Sequence, residues 1–378
     1  MGSPLYLTIL TGGVEAVPAP KALMDALTSV EVTVSATGKS GFQLSFTLAN
    51  TSPLQLFFLL TSGAPIPLLR VVLVATFGGL PQPIMDGLVK HTEVVPDAMQ
   101  GSSKLVITGE DLSAVMDLTD NSGTPFPGMT PDLRVLTLLS KYAMFGIIPN
   151  VVPVLTPDAD VPTVKIPSQK GTDLAYIQQL AKDAGYVFYL QPGPVPGTSQ
   201  AYWGPQVRIG VPQNALNVNL DSWTNVENLN FRYEPQTAVT PIVYIQDQIT
   251  GSTIPIPVPG VNPLSPPLGL VVPIPQKTED LKDTAKLPPA QAMMIGLAKA
   301  AETADVVSGD GTISVLRYGG ILQARQLVGV RGAGIAFDGL YYVESTKHQF
   351  KPGEYKQSFT LKRNALISNV PAVPTFPF

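Results

Sequence analysis

Apolar and polar residues alternate along much of the first third of the chain, with the period of two that β-strands produce. Residues 30–35 and 42–48 both follow this alternation, and the glycine-containing polar segment 37–41 lies between them. The pattern predicts a hairpin with one buried and one solvated face. The other elements predicted in this third are strands at 70–77 and 104–108 and a short helix at 20–27.

The middle third changes to helical spacing. A Thr-Pro start signal at 130–131 precedes a helix predicted at 133–145. Four apolar residues at helical spacing form its predicted stripe: Leu133, Leu136, Leu139 and Ala143. A second helix is predicted at 172–184, where Gly185 ends it, and a strand follows at 186–190.

The last third returns to strand patterns. A strand is predicted at 241–250, a proline-rich loop without a core of its own at 251–276, and a helix at 289–302. The strongest hairpin signal in the chain joins 341–350 to 355–362. Two shorter strands are predicted at 312–316 and 326–329. The chain is therefore predicted to be mainly β with an α+β insertion.

Composition narrows the class of protein. Charged residues make up 14% of the 378-residue chain, against about 25% in a typical soluble protein, which suggests that much of the surface faces other protein. The formal net charge of −4 gives no basic excess, so specific nucleic-acid binding is not expected. The absence of cysteine excludes a disulfide scaffold, a thiol nucleophile and cysteine-ligated metals.

No targeting or membrane segment is expected. The first residues lack the basic and apolar pattern of a secretory signal. The most apolar window, residues 54–77, contains Pro65, Pro67 and Arg70, so it lacks the uninterrupted run of about 18 apolar residues that a membrane span requires. Two buried strands joined by a turn at 61–65 are the expected structure.

Few residues point to catalysis. The two histidines, His91 and His348, lack metal-ligand spacing, and no nucleophile-elbow motif accompanies them. We expect His348 to be a half-buried strand residue. The glycine-rich segments 309–311 and 329–334 lack phosphate-loop spacing and predict turns. No catalytic, cofactor-binding or metal-binding residue is predicted, and no cofactor is expected.

Two clusters leave alternatives open. Glu110, Asp111 and Asp117 contain the carboxylates that a glycosidase pair needs, but they also suit a strand end followed by a helical turn. A wall hydrolase using Glu110 with Asp111 or Asp117 is therefore one alternative. The aromatic segment 202–205 suits protein core or a subunit interface, and it also leaves open a monomeric carbohydrate-binding or adhesin-like β protein.

Several segments in a fixed order resemble the baseplate-hub family of contractile-tailed phages, also called late control protein D. Relatives of that family form the hub part of VgrG-like spike proteins in type VI secretion and of injection particles. The resembling segments are 109–113, 116–117, 142–149 (YAMFGIIP), 171–189 (GTDLAYIQQLAKDAGYVFY), 202–205, 224–226, 230–231, 327–334 (LVGVRGAG), 338–343 (DGLYYV) and 353–357.

The resemblance implies a structural role rather than an enzyme. Two tail-tube-like β-barrel domains in each chain would form a pseudo-sixfold ring as a homotrimer. The ring would join the hexameric tail tube to the trimeric central spike, with the tape-measure protein in its lumen and wedge proteins outside. The protein would lie in the baseplate of a phage tail or in a contractile injection system, after assembly in the bacterial cytoplasm.

The resemblance and the element pattern together suggest five segments. Residues 1–125 would form the first barrel and 126–212 an α/β domain. Residues 213–249 and 306–365 would form the second barrel. Residues 250–305 would be a proline-rich and helical insertion, and 366–378 a C-terminal tail.

Overall fold

The computed structural model describes residues 5–49, 52, 68–97, 102–154, 166–246, 252–263 and 265–369. The predicted turn at 61–65 and the end of the predicted strand 241–250 lie outside these residues. Most of the C-terminal tail also does. Contacts divide the chain into a first unit (Met1–Leu180, Phe188–Gly204, Lys347–Lys356) and a second unit (Ala181–Val187, Pro205–Thr346, Gln357–Phe378).

The first unit contains an antiparallel sheet. Its elements are β1 (Leu5–Gly12), β2 (Ala16–Pro18), α1 (Lys21–Ala26), β3 (Leu27–Ser35), β4 (Gly41–Ala49), β5 (Arg70–Phe77), β6 (Leu80–Asp97) and β7 (Ser102–Asp111). The strand order is β3-β4-β7-β6-β5-β1-β2. Val30 and Val32 pair with Leu44 and Phe42, and all four are buried, so the predicted hairpin is confirmed.

The sequence pattern did not predict β1, β2 or β6 of this sheet, and β6 is the longest of the three. It runs for 18 residues and pairs with both β5 and β7, although it contains Pro81, Pro83 and Pro96. Proline lacks the N–H that a strand ladder uses, which is why its presence argues against a strand in sequence analysis. The Gly78–Gly79 turn that joins β5 to β6 has positive φ angles of 60° and 81°.

The remainder of the first unit mixes helix and strand. After a 3₁₀ turn (Leu112–Asp117), its elements are α2 (Pro131–Ser140), a second 3₁₀ turn (Ala143–Phe145), β8 (Ile147–Val151), α3 (Asp173–Ala184), β9 (Val187–Pro192) and β10 (Ser199–Gly204). Strand β10 pairs in parallel with β8 and also borders β9. The predicted starts of both helices are confirmed. Gly185, which follows α3, has a φ of 68°.

The predicted stripe of α2 is right at the buried Leu139 and wrong at Leu133 and Leu136, and the helix ends at Ser140, before Ala143. Leu133 and Leu136 are 48% and 45% exposed, whereas Arg134 is buried with Val135, Leu138 and Leu139. The Arg134 Nε donates to the Met129 carbonyl at 2.8 Å, so its head group is satisfied within the fold. The helix therefore buries a face rotated from the one that leucine spacing alone favours.

The second unit carries the rest of the chain. Its elements are β11 (Gln213–Asn217), β12 (Val226–Tyr233), β13 (Val239–Gln246), β14 (Thr253–Pro257), β15 (Lys277–Leu281), α4 (Pro289–Thr303), β16 (Val307–Ser314), α5 (Val315–Tyr318), β17 (Leu327–Arg331), β18 (Gly339–Lys351) and β19 (Glu354–Arg363). The larger sheet has the order β12-β16-β19-β18, and β17 joins β18 to β11. The predicted closing hairpin is confirmed as β18–β19.

The tip of that hairpin, Lys347–Lys356, belongs to the first unit. There β18 borders β3, and the Lys347 Nζ lies 2.8 Å from the Glu31 Oε2. The turn at the tip uses Gly353, whose φ of 78° is a conformation that glycine adopts without steric cost.

The proline-rich segment is more ordered than predicted. Strand β14 lies inside it and pairs with β13, which also pairs with β15. Val258 is fully buried in a small core with Val243, Ala292 and Ala300 of α4. The expectation of a loop without packing is therefore wrong for this part of the segment. The predicted helix 289–302 is confirmed as α4.

The architecture confirms the predicted fold class, which is mainly β with helical insertions. Closure of the longer strand arrays of the two units into tube-like barrels and the five domain boundaries remain predictions. Among the described residues, no helix combines the length and apolar character that crossing a membrane requires.

Candidate functional site

A buried ion pair joins two strands of the first unit. Arg70 begins β5 and Asp86 lies in β6, diagonal to it on the same face because Arg70 pairs with Leu88 and Val72 pairs with Asp86. Nε and Nη2 of Arg70 donate to the two carboxylate oxygens of Asp86 at 2.8 and 2.6 Å. The side chains are 2% and 1% exposed, so the pair is removed from water.

The same pair connects the sheet to three loops. Arg70 also donates to the carbonyls of Val14, Phe145 and Gly197 at 2.6, 2.9 and 2.8 Å. The Ser199 hydroxyl donates to Asp86 at 3.1 Å. A charged pair is costly to bury unless such bonds satisfy its remaining donors and acceptors. The cluster thereby fixes the start of β10 against β5 and β6. In the sequence, Arg70 is a single charged residue at the start of an apolar strand, and this is the signal that could have indicated a buried charge.

Asp173 is the centre of a second buried cluster in the first unit. It is fully buried, and its carboxylate accepts from Asn121 Nδ2 at 2.8 Å, Gln169 Nε2 at 2.6 Å, Lys141 Nζ at 3.1 Å and the Tyr142 hydroxyl at 2.8 Å. Burial opposes ionisation, but these donors prevail and hold the pKa of Asp173 below its ordinary value. The charge anchors the start of α3 to the loops around it.

The second unit also contains a buried ion pair. Arg208 Nη1 lies 2.6 Å from Asp305 Oδ1, and both side chains are at most 8% exposed. The guanidinium carbon of Arg208 is 4.9 Å from the ring centre of Tyr342, within cation–π range. Burial raises the pKa of the neighbouring Glu344, and Asp305 adds to this effect, while Arg208 opposes it. This cluster fixes the extended segment that precedes β11.

The predicted histidines lie apart. His91 is exposed in β6. His348 lies in β18 and is 3% exposed, so it is fully buried and not half-buried as predicted. Its Nδ1 is 2.6 Å from the Tyr355 hydroxyl, and burial lowers its pKa to about 4. His348 is therefore neutral at pH 7 and packs in the hairpin.

The carboxylate cluster has structural contacts. Asp111 is the N-cap of the 3₁₀ turn, and its carboxylate accepts from the backbone N–H groups of Ser113 and Ser40 at 3.0 and 2.7 Å. Lys39 Nζ lies 3.3 Å from Glu110 and 3.6 Å from Asp117. A strand end followed by a helical turn, as predicted, accounts for these positions. No group of three or more metal-ligating side chains occurs in the described ranges.

The aromatic segment contributes to the core. Trp203 is fully buried, and its Nε1 donates to the Ile177 carbonyl at 3.3 Å. Tyr202 stacks on Tyr189 with ring centres 5.0 Å apart. Trp203 therefore has no face for a sugar, which removes the main feature behind a carbohydrate-binding site.

Two exposed apolar groups were missed by the sequence analysis. In the first unit, Leu133 and Leu136 of α2 are exposed, as are Met144 and Ile148 at 64% and 53%. In the second unit, three residues of the segment that Arg208 anchors are exposed: Val207, Ile209 and Val211. Exposed apolar side chains mark surfaces for contact with other proteins where they form a contiguous patch.

The comparisons with known proteins agree in fold. No family model and no curated protein sequence matches the chain. The structure is similar to the tail protein from Neisseria meningitidis MC58, with a TM-score of 0.60, 14% identity, and 96% and 98% of the two chains covered. It is also similar to the 43 kDa tail protein of prophage MuSo2 from Shewanella oneidensis, with a TM-score of 0.61 and 14% identity. That comparison covers 96% of this chain and 100% of the prophage chain.

A third similar structure comes from a complex of two Francisella proteins, PdpA and VgrG. A chain of the lidded Francisella PdpA–VgrG complex has a TM-score of 0.55 at 11% identity, over 99% of this chain and 55% of that chain. The chain therefore has a mainly β fold shared with these two tail proteins, one of them from a prophage. The same fold occurs in the Francisella complex.

Proposed function

We propose that this chain is a structural baseplate hub of a contractile phage tail or a related injection system. The observation that carries the proposal is the end-to-end likeness in fold to two tail proteins, one of them from a prophage, whose chains are covered at 98% and 100%. The likeness to a chain of a PdpA–VgrG complex extends it to injection systems. The contacts of Asp111, Trp203 and His348 are those of structural residues, which favours a protein without enzymatic activity or cofactor.

The proposed assembly is a homotrimer that forms a pseudo-sixfold ring. Residues 1–125 would supply the first barrel, and 213–249 with 306–365 the second. The α/β part at 126–212, the insertion at 250–305 and the tail at 366–378 would complete the chain. A closed ring of two alternating barrel types needs complementary heterologous contacts. The low charge of the chain suits such permanent interfaces, whose centres are depleted in charged residues.

The proposed mechanism is mechanical. One rim of the ring would bind the hexameric tail tube, and the other rim the trimeric spike protein. The tape-measure protein would occupy the lumen, and wedge proteins would bind outside. Strands β2 and β12 end the strand orders of their units, and sheet edges of this kind need covering in an assembly. The protein would be assembled in the bacterial cytoplasm and located in the baseplate.

The proposal is tested by mixing the purified chain with the trimeric spike protein of the same particle and imaging the product. A ring with threefold symmetry and six lobes, bound to the spike on one rim, is the expected result. A matched variant, Leu133→Asp with Leu136→Asp, keeps the buried face of α2 and shows whether that exposed surface takes part. Particles of single chains without a ring would contradict the hub.

A further inference from the structure

Strand β14 is an edge of the small sheet. The strand order is β14-β13-β15, and β14 pairs with β13 in antiparallel register from Gln246↔Thr253 to Ile242↔Pro257. No strand of the described ranges lies on its other side. Such an edge presents backbone groups to which a strand of another molecule can add.

The register decides which backbone groups face outward. The β14 register ends with the pair Ile242↔Pro257, so Val258 is the next residue opposite Pro241. The Val258 N–H donates to the Pro241 carbonyl at 2.9 Å, which makes this a hydrogen-bonded pair. In an antiparallel ladder every second residue bonds to the same neighbour, so the N–H groups of Ile254 and Ile256 also face β13. Thr253, Pro255 and Pro257 are therefore the outward-facing positions.

Two of the three outward positions are proline. Proline has no N–H, so Pro255 and Pro257 present no backbone donor to an arriving strand, and their rings occupy the space beside it. The intervening positions, which must donate to β13, are isoleucines with high strand propensity. The alternation of Ile and Pro thus supports the inner ladder and blocks the outer one.

Apart from its prolines, β14 has the features of an edge strand that pairs with another molecule. All of β14 is exposed except the half-buried Ile256, and no residue of the strand is charged. Charged side chains and proline are among the usual protections of an exposed edge, and this strand has proline but no charge. Two copies of the chain would present the same edge, and antiparallel edges can pair across a twofold axis.

We propose that Pro255 and Pro257 close this edge of the small sheet against strand addition by a second copy of the chain. Their spacing in the proline-rich segment is then set by the strand period of two. The proposal does not depend on the hub function. It concerns the pairing of two β14 edges, which the prolines prevent whatever assembly the chain forms.

The test restores the two outward N–H groups. Pro255→Thr with Pro257→Thr in the full chain supplies donors and keeps strand propensity. Pro259→Thr is the matched control, because Pro259 is exposed in the same segment but follows β14. Light scattering over a tenfold range of concentration gives the mass of each protein, and hydrogen exchange gives the amide protection of 253–257.

We expect the double variant to reach at least twice the wild-type mass at high concentration, with protection of 253–257 that rises in parallel. Wild type and Pro259→Thr should keep equal masses. An unchanged mass in the double variant would overturn the proposal. Association without added protection at 253–257, or equal association of Pro259→Thr, would also overturn it. So would loss of β14 in the dilute double variant, because outward positions do not serve the β13 ladder.

Discussion

Gly311 leaves the space that the Phe359 ring occupies. A Cβ on Gly311 would lie 2.6 Å from Phe359 Cζ and 2.7 Å from the Asn228 carbonyl oxygen, distances that real contacts do not reach. Phe359 belongs to the core of the second unit, with β16 and β19 paired side by side. The glycine therefore serves packing within a strand, and the predicted turn at 309–311 is wrong.

Gly311→Ala should destabilise the second unit by roughly 1–3 kcal/mol, because the neighbouring ring and backbone must shift. Gly320→Ala is the matched control, since nothing lies closer than 3.9 Å to its added methyl group. It should change the free energy of unfolding by less than about 0.5 kcal/mol. Urea unfolding followed by tryptophan fluorescence measures both. Equal effects of the two substitutions would contradict the packing role.

Asp86→Ala should destabilise the protein by about 3–5 kcal/mol, because it leaves the Arg70 guanidinium buried without its partner. The control is Arg232→Gln, which removes an ion pair whose side chains are 66% and 44% exposed. That change should cost less than about 1 kcal/mol. Chemical unfolding checks the difference. A loss below 1 kcal/mol for Asp86→Ala would mean that the pair does not hold β10 to the sheet.

His348 should make stability depend on pH between about 4 and 6.5. Its folded pKa of about 4 lies below the ordinary value of 6.5, because burial disfavours the cation. The unfolded chain binds the extra proton in this window, so stability is lost as pH falls through it. From pH 7 to pH 5 the wild type should lose about 2 kcal/mol more than His348→Gln. Parallel losses in both proteins would contradict the neutral buried histidine.

Glu344 should act in the opposite direction. Burial raises the pKa of Glu344 in the folded protein, so the folded state favours the protonated carboxyl group. Protonated Glu344 therefore stabilises the fold at low pH, and this stabilisation is lost as the pH rises through the folded-state pKa. Glu344→Gln should therefore raise the melting temperature at pH 7, and the gain should shrink at pH 4. Thermal unfolding at the two pH values measures it. A lower melting temperature for the variant at pH 7 would show that the electrostatic attraction of Arg208 outweighs the cost of burying the carboxylate.

The sequence was informative where a single face is buried. Strands β3 and β4 alternate because one side of their hairpin faces the core, and the alternation predicts both strands. The same pattern failed for β6, whose prolines interrupt the strand signal although the strand pairs on both sides.

Tertiary contacts account for the other differences. Arg134 is buried because its Nε reaches the Met129 carbonyl, which no spacing rule for leucines anticipates. The ion pair of Arg70 and Asp86 depends on strand register, because the pairing of β5 with β6 brings together two residues that are 16 positions apart in the sequence. Its loop contacts at Phe145 and Gly197 come from distant parts of the sequence. Periodicity carries no information on such pairings.

The mass of the purified chain in solution tests the hub most directly. Light scattering measures it for the chain alone and for the chain mixed with the trimeric spike protein of the same particle. The hub account predicts three chains of 40.1 kDa each, roughly 120 kDa, for the chain in its ring, and one such trimer for each spike trimer. A mass of 40.1 kDa in both samples would contradict the ring and leave only the fold.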